Sequence, residues 1–182
     1  MNLYFVCNRK ILLIASILFL LTSSFAYGAG FSIIEQSVSG LGNAFAGGAV
    51  SPEDATTVFF NPAGLTHLTD PEIIGGVHVI MLSAEFKDQG SPHVLGGNLN
   101  GDNEGDGGVK KIAPNLYYSR QINERLAFGL GINAPFGLAT KYNDTWVGRY
   151  HAIDTDLLTM NINPSLGYRI NDQLSLGFGF SG

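Results

Sequence analysis

The sequence predicts an all-β fold, a transmembrane antiparallel β-barrel of the bacterial outer membrane. Between positions 161 and 180, outside a short turn at 171–173, nearly all even positions are bulky and apolar, while odd positions are mostly small or polar. A period of two indicates a strand with one apolar and one polar face. The pattern at 170–179 repeats that at 122–131, and an export signal precedes both. A soluble sheet with one buried face gives the same period, so the export signal favours the membrane barrel.

Residues 1–28 are predicted to be a signal peptide. Arg9 and Lys10 form a basic start, an apolar run follows over positions 11–21, and small residues come after it. This run is shorter than the about 20 residues that a spanning helix needs, although an uncleaved anchor is the alternative. Cleavage after Ala26 and cleavage after Gly28 both fit. The one cysteine, Cys7, leaves with this segment, so no disulfide is expected to stabilise the mature chain.

Residues 29–69 are rich in glycine and alanine and show no alternation. Ser51 followed by Pro52 predicts a helix start with Ser51 as its cap, because proline fits the first helical position. Asn61 and Pro62 repeat this arrangement. We therefore expect short helices and tight turns, too rich in glycine to form a core of their own.

Five strands are expected after this segment. They lie at about 72–86, 113–121, from 126 onward, 156–170 and from 174 onward. Strand one has apolar residues in both rows, so its facing stays open. In strands two and three, the bulky row is expected to face outward and the small or polar row inward; the outward set is Leu116, Tyr118, Ile122, Phe128, Leu130 and Ile132. The polar loops 87–111 and 141–155 are longer than the turns between them, and in such barrels long loops face outside.

Strand three contains the feature that alternation does not explain. Pro135 and Gly137 interrupt the pattern within Ala134-Pro135-Phe136-Gly137. Proline has no N–H to donate and glycine lets the backbone bend, so an unpaired stretch in lipid is costly. Either the strand ends at Asn133, or it is broken for a functional purpose.

Five strands cannot close a barrel, since the smallest single-chain bacterial barrels use about eight. Because the alternation still runs at Gly182, we expect the chain to be the N-terminal portion of a longer protein. The remaining pocket walls, and any basic groups that meet a carboxylate, are then expected beyond it.

Composition argues against several other functions. The formal net charge is −5 without a basic patch, which does not favour nucleic-acid binding. The four histidines lack metal spacing. The loop 102–108 is similar to the start of a calcium loop, but Ala113 occupies the position of the terminal glutamate, so a solvated loop is the better interpretation. We expect no cofactor, no metal and no enzymatic activity.

Several motifs resemble the FadL/TodX family of outer-membrane transporters for hydrophobic compounds. They are Ala29-Gly30-Phe31, the glycine-rich stretch 39–47, Asp54-Ala55, Asn61-Pro62-Ala63, the segment 136–145 and the segment 156–161. The resemblance implies a fourteen-stranded barrel, with residues 29–69 as a hatch inside it and residues 70–182 as its first strands. It also implies that Ala29, Gly30 and Phe31 reach a hydrophobic ligand pocket, and that Asn61, Pro62 and Ala63 form a hatch motif.

The resemblance further implies that Pro135, Phe136 and Gly137 lie at an inward kink that opens a lateral gap, which favours a functional break. Proline at this kink departs from the family pattern, where a polar residue is commoner. The expected function is passive uptake of hydrophobic solutes, fatty acids or aromatic hydrocarbons, by a monomeric barrel that releases them sideways into the outer-membrane lipid. A general diffusion porin and a structural surface barrel are the alternatives.

Overall fold

Five antiparallel strands form the central sheet of the computed structural model, which describes residues 30–92, 96–97 and 99–182. Numbering the strands in chain order, its neighbours are β1 (Glu72–Met81), β4 (Lys110–Gln121), β5 (Leu126–Asn133), β8 (Asn161–Asn171) and β9 (Leu174–Gly179). These correspond to the five strands that the sequence predicts. The predicted signal peptide, residues 1–28, and Ala29 lie outside the described residues. Among the residues that are described, no helix combines the length and the apolar character needed to cross a membrane.

Four shorter strands pair outside the central sheet, and they correct the predicted boundaries. Strand β2 (Glu85–Lys87) pairs with β3 (Glu104–Asp106), and β6 (Gly137–Lys141) pairs with β7 (Asp154–Leu158). The expected strand 72–86 therefore ends at Met81, because its last residues pair within the first long loop. The expected strand 156–170 is two strands, β7 and β8, separated at positions 159–160.

The facing of the strands is the one that the alternation predicts. Along β5 the odd positions 127–133 are buried and the even positions are partly exposed. Strand β8 alternates in the same way as far as Tyr168, and Leu176 and Phe178 of β9 are exposed. Strand β1, left open by the sequence, presents its odd positions outward, among them Ile73 and Val77. One face of the sheet is thus a continuous apolar surface, which we call the outer face.

Residues 30–71, the described part of the chain ahead of β1, contain helices but no strand. They are α1 (Val38–Leu41), α2 (Thr57–Phe60) and two turns of 3-10 helix (Pro62–His67). The predicted cap at Ser51 is wrong: the Asp54 carboxylate accepts hydrogen bonds from the N–H and hydroxyl of Thr56, so a turn forms there and the helix begins at Thr57. The predicted cap at Asn61 is correct, since its Oδ1 accepts from Ala63 N at 3.2 Å.

This N-terminal segment packs on the inner face of the sheet, opposite the outer face. Val58 and Leu65 are fully buried against Tyr117 and Ala127 of the strands. Glycines in the strands allow the close approach: a Cβ at Gly177 would lie 2.7 Å from the carbonyl carbon of Pro62. The small inner row predicted from sequence is therefore the surface that receives the helices.

Candidate functional site

The pairing beside β4 is interrupted part of the way along the strand, which leaves a gap between β4 and β6. The ladder joining β4 to β5 stops at the pair Leu116–Ile132, although β4 continues back to Lys110 with β1 paired along its whole length. Beyond Asn133 the chain resumes as β6, which pairs with β7 instead of β4. The gap between residues 110–115 of β4 and Gly137–Lys141 of β6 is called the window below.

Prolines stand on both sides of the window. Pro135 precedes β6. Pro114 lies in the part of β4 that pairs with β1 but has no partner on the window side. If the β4–β5 register continued, Pro114 would face Ala134 and Ala113 would face Pro135. Neither proline has an N–H for a ladder hydrogen bond, which explains why pairing does not resume across the gap.

Both ends of the window are closed by backbone contacts. The pair Leu116–Ile132 closes one end. At the other end Lys141 N donates to Gly107 O at 2.8 Å. The window is thus a bounded opening within the sheet and differs from an unpaired sheet edge.

The start of the N-terminal segment lies against the kink at the window. Ile33 N donates to Pro135 O at 2.9 Å, and Gly137 N donates to Phe31 O at 3.1 Å. A single antiparallel bridge between Ser32 and Phe136 lies between these bonds. The structure therefore brings Phe31 together with Pro135, Phe136 and Gly137, which the sequence assigned to two separate features.

The other side of the kink is held by Thr159, in the connection between β7 and β8. Phe136 N donates to Thr159 Oγ1, and Thr159 N donates to Phe136 O, both at 3.1 Å. The kink residues are therefore bonded on both sides by short stretches of chain that are not regular strands.

A chain of three buried amides ties the N-terminal segment to the strands. Asn161 Nδ2 donates to Asn133 Oδ1 at 3.0 Å, and Asn133 Nδ2 donates to Gln36 Oε1 at 2.5 Å. Gln36 Nε2 in turn donates to the carbonyls of Ile33 and Ala134, at 2.8 and 2.9 Å. All three amides are at least nine-tenths buried, so each lost bond would leave a polar group without water or protein to satisfy it.

Phe31 carries backbone strain at this site. Its φ of 66° lies in the left-handed region, which costs a residue other than glycine roughly 1–2 kcal/mol. Strain of this kind persists where the surroundings hold it, and here the bond from Gly137 does so. Gly30 precedes it in a turn, and Ala29 lies outside the described residues.

A cavity of about 560 Å³ lies at the window. Its walls are mostly apolar and come from the N-terminal segment, the end of β1, β4, β6 and β7; among them are Phe31, Ile33, Ile80, Ile112, Leu138 and Leu157. This volume falls in the range of ligand pockets, roughly 300–1,000 Å³. The kink residue Gly137 lines the cavity as well, whereas Pro135 and Phe136 do not.

Three charged side chains line the same cavity, and sequence reasoning missed them. Lys111 Nζ of β4 lies 2.5 Å from Asp156 Oδ2 of β7, and Glu35 comes from the N-terminal segment. The ion pair links β4 to β7, the strand that pairs with β6 on the far side of the window. Lys111 stood at the end of a predicted polar loop, and Asp156 stood at the start of a predicted strand and of the family-like segment 156–161, but neither pattern indicated a charged contact in a cavity. Pro114, by contrast, could have been found from the sequence, because a proline inside a predicted strand indicates an interrupted ladder.

The predicted hatch motif lies elsewhere. Asn61, Pro62 and Ala63 pack on β9, where Pro62 and Ala63 lie against the backbone of Gly177. None of the three lines the cavity at the window. From this position they anchor the N-terminal segment to β9 of the central sheet.

The carboxylates of the loop 102–108 each have a different partner. Asp102 accepts from Thr145 Oγ1, and Glu104 pairs with Lys87 at 2.8 Å. Two backbone N–H groups, those of Ala84 and Gly108, donate to Asp106 and lower the pKa of its carboxyl below the ordinary value. Within the described ranges, no group of three or more acidic, histidine or cysteine side chains is arranged to hold a metal ion.

Residues 19–181 match the model of a protein family described as outer membrane protein transport protein (OMPP1/FadL/TodX). The chain is 37% identical over 164 residues to the long-chain fatty acid transport protein of Escherichia coli K12, covering 88% of this chain and 35% of that protein. It is 33% identical over 169 residues to outer membrane protein P1 of Haemophilus influenzae, covering 88% of this chain and 37% of that one.

A solved structure resembles the fold over a similar range. The crystal structure of a Pseudomonas aeruginosa FadL homologue superposes with a TM-score of 0.65 and 27% sequence identity. The match covers 84% of this chain and 37% of that structure. The chain thus spans about a third of the length of the relatives it matches.

Proposed function

Because this chain belongs to the OMPP1/FadL/TodX family of outer membrane transport proteins, we propose that it takes part in the passive uptake of hydrophobic solutes such as long-chain fatty acids. The solute leaves sideways, through the window between β4 and β6. The proposed organisation of the chain follows from this role. Residues 1–28 direct export, residues 29–69 form a hatch inside a barrel, and residues 70–182 supply strands of the barrel wall.

The observation that carries this proposal is the window itself, with an apolar cavity beside it. Ile112, on the β4 side of the window, is exposed on the outer face, and Leu138 lines the cavity from β6. A solute that moves from the cavity to the outer face stays in contact with apolar groups. Burying apolar surface stabilises by about 25 cal/mol per Å², so an apolar solute is more stable in lipid than in water beyond the barrel.

The N-terminal segment is the element that moves in this proposal. Two backbone hydrogen bonds and the Gln36 side chain hold it at the kink. Because Phe31 is strained there, its release regains part of the cost of separating these contacts. A solute adsorbs at the long loops, enters the cavity, and leaves through the window as residues 31–33 shift.

The experiment restores the strand at the kink. Pro135→Val supplies an N–H, and Gly137→Val adds β-branched bulk, whose Cβ would lie 2.9 Å from Ile33 Cδ1. We expect the double variant to fold and to lose most of its uptake of a radiolabelled long-chain fatty acid. The matched control is Pro164→Val with Gly75→Val, the same changes on strands β8 and β1, which do not border the window; Pro164 pairs with Leu130 and Gly75 with Leu116.

Normal uptake by the folded double variant would show that the solute leaves by another route, such as the lumen of the barrel. The two alternatives, a diffusion porin and a structural barrel, predict other results for the unaltered protein, the double variant and the control variant. The porin would admit small polar solutes in each of them, and the structural barrel would show no uptake in any.

A further inference from the structure

We infer that Lys111 is the head-group contact of the cavity at the window, and that it selects amphiphiles that carry a carboxylate. The inference rests on the proposed function, since it names the chemistry that the cavity recognises. Lys111 belongs to the inner row of β4 and faces Ile80 of β1 in the ladder. Its ammonium therefore stands at a mostly apolar cavity that has the volume of a ligand pocket.

The ammonium group has room for a second partner. A lysine ammonium has three N–H donors, and Asp156 accepts one of them at 2.5 Å. The Lys111 side chain remains 43% exposed and that of Asp156 58%. A carboxylate with an apolar tail can thus bind Lys111 from the cavity, either beside Asp156 or in its place.

Glu35 and Lys111 together set the orientation of such a ligand. The ion pairs of the described residues include Lys111 with Asp156, whereas Glu35 belongs to none of them. An anionic head is repelled by Glu35 and attracted by Lys111. The head is therefore placed at β4, with the tail along Ile80, Leu138 and Leu157.

Asp156 then acts as a competitor for the ligand. Its carboxylate already satisfies Lys111, so a ligand carboxylate gains only the difference between the two arrangements. Removing the charge of Asp156 should tighten the binding of a carboxylate, while removing the charge of Lys111 should weaken it. If the ion pair merely fastened β4 to β7, the two changes would act in the same direction.

The test compares two probes of equal chain length, decanoate and decanol, on the whole protein purified in detergent at a pH well above the carboxyl pKa. Lys111→Met keeps most of the apolar stem and should weaken decanoate binding roughly three- to tenfold, the range for a partly exposed charged contact. Asp156→Asn should tighten decanoate binding. Decanol binding should change by less than about twofold in both, and Lys111→Arg should keep decanoate binding.

The controls are Lys87→Met and Glu104→Gln, which neutralise an exposed ion pair of 2.8 Å in the first long loop. Neither should change the binding of decanoate or decanol. Equal losses for both probes in Lys111→Met, or changes of the same sign in Lys111→Met and Asp156→Asn, would overturn the inference alone. If the unaltered protein bound neither probe, the cavity would not be a solute site, and the proposed function would fail with it.

Discussion

Asn133 joins the N-terminal segment to the strands through buried side-chain hydrogen bonds. Its amide receives a hydrogen bond from Asn161 and donates one to Gln36, while Gln36 donates to the carbonyl of Ile33 in its own segment and to that of Ala134 beside the kink. The side chain lies at the last position of β5, where the regular ladder ends. One polar side chain thus couples the end of the ladder to the segment behind the window.

We predict that Asn133→Ala loosens the start of the N-terminal segment, the proposed hatch, without unfolding the sheet. Two buried partners would lose their hydrogen bonds, at a cost of about 1–3 kcal/mol for each unsatisfied group. Amide hydrogen exchange at Ile33 and Gly137 should accelerate. The control Asn163→Ala removes an amide bonded only to Ser165 within the same strand. Unchanged exchange at Ile33 in Asn133→Ala would contradict the role given to this amide chain.

At the scale of the strands, the side-chain alternation could be predicted from the sequence because each strand has one exposed face and one face that packs on the N-terminal segment. Positions such as Phe128 and Gly129 fall on the predicted sides. The kink at Pro135 was also visible, because proline cannot donate to a ladder. The sequence did not show which strands the interruption separates. Strands β6 and β7 pair with each other although a long loop joins them, and β4 contributes a proline of its own, Pro114.

The site was less predictable than the fold for a related reason. Lys111 and Asp156 are 45 positions apart and meet only because β7 pairs with β6, across the window from β4. Gln36 and Asn133 are 97 positions apart and carry no local motif. Contacts between distant segments without a shared pattern cannot be inferred from one sequence.

The outer face gives an element-scale prediction. Phe178 of β9 is 71% exposed although it is aromatic, as expected for a side chain in contact with lipid. Phe178→Arg should destabilise the protein folded in bilayers by about 2–4 kcal/mol if the position lies near the membrane midplane. Gln173→Arg, in the turn between β8 and β9, should cost about 0–1 kcal/mol.

Equilibrium folding into lipid vesicles, monitored by denaturant titration, checks this difference. Equal costs at Phe178 and Gln173 would mean that the outer face is not in contact with lipid, and would contradict the orientation of the strands.

For the molecule as a whole, family membership and the fold agree with the resemblance read from the sequence, and so does location in the bacterial outer membrane. The sheet presents an apolar outer face, and helices cover its inner face. A wall lined on its inside by a separate segment is the arrangement that the proposed hatch requires.

Deleting residues 31–69 tests the hatch at this scale. The wall should still insert into membranes, because its ladder hydrogen bonds run between strands and the deletion removes none of them. Small sugars should then enter proteoliposomes faster, as measured by swelling. If permeability stayed at the level of the unaltered protein, residues 31–69 would not fill the lumen.

The central claim is that solute leaves through the window, and a reversible bridge across it is the most direct test. Ile112→Cys on β4 and Leu138→Cys on β6 both stand in the lining of the cavity, and a bis-maleimide with a reducible disulfide spacer can join them. The control bridge joins Ile73→Cys to Tyr118→Cys, which face each other across the intact ladder of β1 and β4. Fatty acid uptake should stop when the window is bridged and return when the spacer is reduced, with no change in the control. Full uptake through a completely bridged window would contradict the claim.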